Sequence, residues 1–219
     1  MTEYQLKDRR QISDHFRKLG YGFVDFCVRR KIQPDTISYA SVVFALAAGI
    51  LFCLSDRYAF FLLIAPILTF GRLYCNMIDG MVAIKSQVAS RRGEVINELP
   101  DRVSDTIIFL GLALSGQANM IMAFSVIFGM LAVSYIGVLG KAVGARRQYG
   151  GLMPKPARMF TLAFASSGQF GLRLFYDSEM VLFGCHLTLI DCANVLILVL
   201  LGQTAVVRTR TMLAELEGN

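Results

Sequence analysis

Apolar runs long enough to cross a bilayer, about 20 residues each, alternate along this chain with short polar and basic stretches. Six spans are predicted: Thr36–Leu54, Tyr58–Met81, Leu99–Ser115, Met120–Val138, Met159–Phe175 and Met180–Val207. The fifth is the weakest, because Ser166, Ser167, Gly168 and Gln169 interrupt it. The length of the sixth implies a tilted helix or one that leaves the bilayer at its end. Ahead of the spans, Phe16, Leu19, Phe23, Phe26 and Cys27 recur at helical spacing, flanked by Arg17, Lys18, Arg29 and Arg30. That is the pattern of a helix lying in the membrane interface. Pro34 breaks it from the first span. The expected fold is all-α: an integral membrane six-helix bundle with an N-terminal interfacial amphipathic helix. It divides into an N-terminal cytoplasmic segment (1–34), a six-span domain (35–207) and a cytoplasmic C-terminal tail (208–219).

Composition agrees. Of 219 residues, 55% are hydrophobic and only 17% charged, and the mean hydropathy is +0.53, which excludes an ordinary soluble domain. The polar start, MTEYQLKDRRQISDHFRK, predicts no cleavable leader. The five cysteines are scattered without a CxxC pair, and there are two histidines. They point to neither a disulfide frame nor a histidine metal site.

Charge adds orientation. Lys and Arg crowd the N-terminal segment, the second-to-third loop (Lys85, Arg91, Arg92), the fourth-to-fifth loop (Lys141, Arg146, Arg147, Lys155, Arg158) and the C-terminus (Arg208, Arg210). The opposite side carries only Arg57 and Arg173. The asymmetry predicts a multi-pass protein of the inner membrane with both termini in the cytoplasm. Anionic headgroups, and not nucleic acid, account for the net charge of +6.

Two polar stripes stand out. Arg72, Asn76, Asp79 and Ala83 step by four, three and four, and so share one helical face. Glu94, Asn97, Asp101 and Asp105 form a second stripe, with Pro100 at a first helical turn or a kink. The short basic loop between the stripes sets both at one membrane depth. Helix ends alone explain Arg91, Arg92 and Glu98. They explain Asp79 and Asp101 less well, since a carboxylate within a span costs roughly 2.5–3.5 kcal/mol and normally faces a protein interior or a wet cavity. Two opposed oxygen-rich faces suit a hard divalent cation or a polar ligand, and Gly80 lets a ligand approach the backbone.

The same residues resemble the CDP-alcohol phosphotransferase family, whose pattern is D-x2-D-G-x2-A-R-x8-G-x3-D-x3-D. Here the frame reads Asn76, Asp79-Gly80, Ala83-Ile84, then eight residues to Gly93, then Asn97 and Asp101. Every spacing is kept. Asp79, Gly80, Ala83, Gly93 and Asp101 match in type, whereas Asn76, Ile84 and Asn97 replace Asp, Arg and Asp. The resemblance implies transfer of a substituted phosphate from a CDP-linked donor, commonly CDP-diacylglycerol, to a small alcohol, with release of CMP and with Mg or Mn. It implies Asn76, Asp79, Asn97 and Asp101 as metal ligands and Asp101 as the base. It sets Gly80, Ala83 and Gly93 against the nucleotide, and it implies a homodimer in the membrane. Asparagine offers an oxygen but no charge, so metal affinity in the free protein is expected to fall unless Glu94 and Asp105 restore some field. Arg72 is a candidate to cover the role of the arginine replaced by Ile84.

"GGLMPKPARM" (150–159) resembles a stretch in which Lys and Arg flank the acceptor pocket. Lys155 and Arg158, three apart, would suit an acceptor carrying a phosphate, although positive-inside charges would look the same. Two other functions stay open. One is a non-catalytic lipid- or nucleotide-binding member of the family. The other is a small transporter, for which Asp191 and Asn194 in the sixth span are the residues to check, unless they settle helix packing. The glycines at 129, 137, 140 and 144 permit close packing.

Overall fold

A computed structural model describes residues 14–88, 91–175, 180–182 and 185–218. Among them are α1 (Asp14–Arg29), α2 (Pro34–Cys53), α3 (Phe61–Lys85), α4 (Arg91–Ala113), α5 (Met120–Ala142), α6 (Lys155–Phe175), a short antiparallel hairpin β1 (Met180–Leu182) and β2 (Cys185–Leu187), and α7 (Leu189–Glu217). The fold is all-helical apart from that hairpin. Four helices, α2, α3, α5 and α7, are long and apolar enough to cross a membrane.

Helices α2 to α7 close a ring: α2 packs on α3 and α4, α5 on α4 and α7, and α6 on α3 and α7. Its centre is apolar, with Phe52, Leu62, Phe109, Met159 and Ile197 fully enclosed. Large apolar side chains also line the outside, among them Phe128 at 76% exposure and Phe164 at 74%. An apolar perimeter is what lipid requires. The tightest seam joins α2 and α4. A Cβ added at Gly111 would lie 2.0 Å from the Gly49 carbonyl oxygen, so these backbones touch and no side chain fits between them.

Each helix starts or bends for a local reason. Pro34 opens α2, where its missing N–H costs nothing. Inside α3, Pro66 cannot donate to the Leu62 carbonyl. Ser166 of α6 supplies that bond, its Oγ donating at 2.6 Å. Gln169 Oε1 likewise accepts from the Leu189 N–H at 2.8 Å, at the start of α7. Ser166 and Gln169 of the polar interruption in the predicted fifth span thus face inward and satisfy the backbones of neighbouring helices, while Ser167 is exposed. Thr188 and Asp191 form a reciprocal capping box on α7.

Helix bounds differ from the expected ones in three places. The helix in the expected third span begins earlier, at Arg91, and runs through Pro100. The helix in the expected sixth begins later, because Met180–Leu182 and Cys185–Leu187 pair as strands. Residues 208–217 continue α7. In α1, Val24 and Cys27 pack on Ile78, Met81 and Val82 of α3, while Phe23 and Phe26 stay exposed. The side chains of Phe16 and Leu19 lie outside the described ones. Gly129 adjoins Leu201, Gly137 the Gln148 carbonyl and Gly140 the Arg146 carbonyl. These three glycines serve packing within the chain and mark no face for a second copy.

Candidate functional site

Both predicted stripes turn toward each other where α3 meets the first half of α4. Asn76 Nδ2 donates to Asn97 Oδ1 at 2.9 Å, and Asn97 Nδ2 reaches Asp79 Oδ1 at 3.3 Å. Asp79 is buried and accepts from the Ser38 hydroxyl of α2 at 2.5 Å. Asp101 lies further along α4. Its Oδ1 and its own carbonyl oxygen accept from Arg72 at 3.0 and 2.9 Å. Arg72 also pairs with Asp105 at 2.7 Å. A guanidinium with no exposed surface is stable only when so enclosed by carboxylates.

Lys155 joins the halves. Its ammonium lies 2.6 Å from Asp101 Oδ2 and 2.9 Å from Asn76 Oδ1. One turn on, Arg158 is buried beside Asp105 at 3.5 Å. The loop before Lys155 is held firmly on the second half of α7. Leu152 and Met153 N–H groups donate to Gln203 and Thr204 at 3.0 Å each, and Arg208 Nε donates to the Gly150 carbonyl at 3.0 Å. Gly151 adopts φ +104°, and a Cβ there would meet Thr204 at 2.4 Å, so only glycine fits. The second half of α7 therefore holds the loop that leads into Lys155.

Of the expected site residues, Asn76, Asp79, Asn97, Asp101, Lys155 and Arg158 gather in this one network. Gly80, Ala83 and Gly93 are half-buried on the same two helices. Ile84 is exposed. Twelve positions from it on α3, about 18 Å along a helix, Arg72 is committed to Asp101 and Asp105 and does not cover its place. The side chain of Glu94 lies outside the described ones. Sequence reasoning missed Ser38, although Asp35, Ser38 and Ser41 recur every three residues in an apolar helix. It also missed the pairing of Arg72 with Asp105. Asp191 caps α7 and accepts from the Asn119 N–H at 2.6 Å, which uses it for packing and removes the better transport candidate.

The donor set can be judged against a metal on its own chemistry. Among the described residues no three His, Cys, Asp or Glu side chains converge to hold an ion. Asp101 is occupied by two cations. Asp79, whose Oδ1 accepts the 3.3 Å amide contact, stands beside the carboxamides of Asn76 and Asn97. That set fits one hard cation of the kind bound through a single carboxylate with ligand phosphates completing its shell. It does not fit two.

No family model matches the chain. It is 27% identical over 158 residues to the inner membrane protein YnbA of Escherichia coli (strain K12), covering 72% of this chain and 75% of that protein. It is 26% identical over 166 residues to a phosphatidylinositol phosphate synthase of Streptomyces avermitilis, covering 73% of this chain and 66% of that one. In fold it matches the crystal structure of Mycobacterium tuberculosis phosphatidylinositol phosphate synthase with CDP-DAG bound (TM-score 0.69, 20% identity, 89% of this chain and 94% of that one). A crystal structure of the same synthase in complex with manganese and citrate matches at TM-score 0.68, with 20% identity and 87% of each chain covered. The sequence likeness supports the family resemblance, and the structural likeness shows the same fold.

Proposed function

With kinship to the CDP-alcohol phosphotransferases as the premise, we propose that this protein is a transferase of phospholipid synthesis. It moves a phosphatidyl group from a CDP-linked lipid, CDP-diacylglycerol by preference, to the hydroxyl of a small phosphorylated alcohol. The observation that carries this is the convergence of Asp79 and Asp101, both at their motif positions, with Lys155 in one buried network.

Asp101 takes the proton of the acceptor hydroxyl. Arg72 aims it, and Lys155 faces the oxygen that would receive the proton. The acceptor oxygen then attacks the β-phosphorus, the bond to the CMP oxygen breaks, and CMP leaves. Asp79 and Asn97 would hold one divalent cation together with the donor diphosphate, while the Asn76 oxygen stays with Lys155; the ion would supply charge neutralisation. Lys155 lies close enough to the transferred phosphate to favour an acceptor that is itself anionic.

In this reading all six helices α2 to α7 cross the inner membrane with both termini cytoplasmic. Helices α4 and α6 carry the charged ends of the site. The amphipathic α1 lies in the interface, and two copies associate in the membrane as the family resemblance implies.

The test is CMP release by purified protein given CDP-diacylglycerol, Mg²⁺ or Mn²⁺, and a panel of phosphorylated and free alcohols. Acceptor-dependent CMP is expected with a phosphorylated alcohol. Release with free alcohols alone overturns the acceptor assignment, and no release with any donor overturns the transferase.

A further inference from the structure

The Asp101 half of the network is supplied with positive charge before any ligand arrives. Asp101 and Asp105 pair with Arg72, Lys155 and Arg158, whereas Asp79 is met by the neutral side chains of Ser38 and Asn97. The two asparagines contribute oxygen without charge. They also do something an aspartate cannot. Asn76 donates through Nδ2 to Asn97 while accepting through Oδ1 from Lys155. It thus links the Asp79 side of the site to the Asp101 side through one neutral group. Its carboxamide and the Asp101 carboxylate grip the Lys155 ammonium from α3 and α4, and the side chain is only 10% exposed. A built-in cation therefore sits between the two helices, on the oxygens that a second bound ion would need.

We propose that the Lys155 ammonium replaces a second metal ion in this chain. The protein holds at most one divalent cation, on the Asp79 side, and holds it only with the nucleotide diphosphate. With a fixed positive charge in place, two further negative charges and a second divalent ion would be superfluous. This rests on the transferase reading for the identity of the diphosphate, but the ion count is independent of turnover.

Bound Mn²⁺ is counted by electron paramagnetic resonance on the full chain in nanodiscs, with and without CDP as the probe. The wild type is expected to hold no ion without CDP and one with it. The combined Asn76→Asp, Asn97→Asp and Lys155→Met variant is expected to hold two. Lys155→Met alone should weaken CDP binding by about 10- to 100-fold, the loss of one charged contact, and Lys155→Arg should restore most of it. The arginine variant and a melting curve guard against misfolding. Two ions in the wild type overturn the proposal, as does a folded Lys155→Met chain with wild-type affinity for CDP. One ion with CDP, but no CMP from any donor, overturns the transferase and supports the ion count.

Discussion

The two ends of the helix ring are both polar, and they are polar in opposite ways. At the end where α5 and α7 begin, three side chains, Asp191, Thr188 and Arg173, bond backbone groups. Asp191 caps α7 and holds the Asn119 N–H. Thr188 donates to the Gln117 carbonyl at 2.9 Å, and Arg173 donates to the carbonyls of Ser55 and Asp56 at 3.0 and 3.1 Å. At the other end, around Asp101, side chains bond one another, and most carry charge. A bond to a helix end has no substitute when a ligand arrives, so it fixes structure. A carboxylate paired with an ammonium can exchange that partner for a hydroxyl or a phosphate. One end closes the bundle and the other keeps exchangeable groups together.

The comparison fails first if the charged end has no role in turnover. Asp101→Asn keeps the shape and removes the proposed base. CMP release per folded molecule should fall by about 10²- to 10⁴-fold, the usual contribution of a positioned base, over and above the lowered unfolding midpoint that follows from taking a carboxylate away from Arg72 and Lys155. A folded variant with normal turnover would reduce that end to packing.

Arg72→Met tests how far the charged end is also structural. Removing the guanidinium leaves Asp101 and Asp105 buried with weaker compensation. Breaking a buried pair in this way costs about 3–5 kcal/mol, read as a lowered midpoint of unfolding. A stable variant would mean that Lys155 and Arg158 suffice to hold both carboxylates.

Ser166→Ala probes the contrasting kind of bond. It leaves the Leu62 carbonyl without a donor, because Pro66 has none to give. A loss of about 1–3 kcal/mol is expected. In a Pro66→Ala background the helix can restore its own bond, and the same serine change should cost less. Equal costs in both backgrounds would show that the serine acts through packing.

Sequence alone revealed whichever features repeat at short range. The apolar runs placed α2 and α5 closely, since lipid selects for continuous greasy segments. The four–three–four steps put Arg72, Asn76 and Asp79 on the face that meets α4. The first turns of α4 carry a polar helical stripe in the sequence but fall outside the expected span, because RRGEVINELPD turns a polar face inward and has no apolar run. The hairpin at 180–187 was absorbed into a span because MVLFGCHLTL is as apolar as a membrane helix and short runs do not distinguish the two. Partners across the ring were out of reach for a different reason. Lys155 is 54 positions from Asp101, and only the loop pinned to α7 through Gly151 and Thr204 brings them together.

The smallest expected effect belongs to Thr188→Ala, at the closing end. Thr188 accepts the Asp191 N–H at 3.0 Å and donates to the Gln117 carbonyl, so the change removes one cap and one link between loops. Loss of a cap costs about 0.5–2 kcal/mol, which the unfolding midpoint would register. CMP release per folded molecule should stay the same, because none of these groups touches the site. The acceptor concentration for half-maximal release is the sharper readout. A shift there would mean that α7 transmits strain along its length, from its capped start to the segment that pins the loop before Lys155. The two ends would then be coupled through one rigid helix, and the division of labour between them would be incomplete.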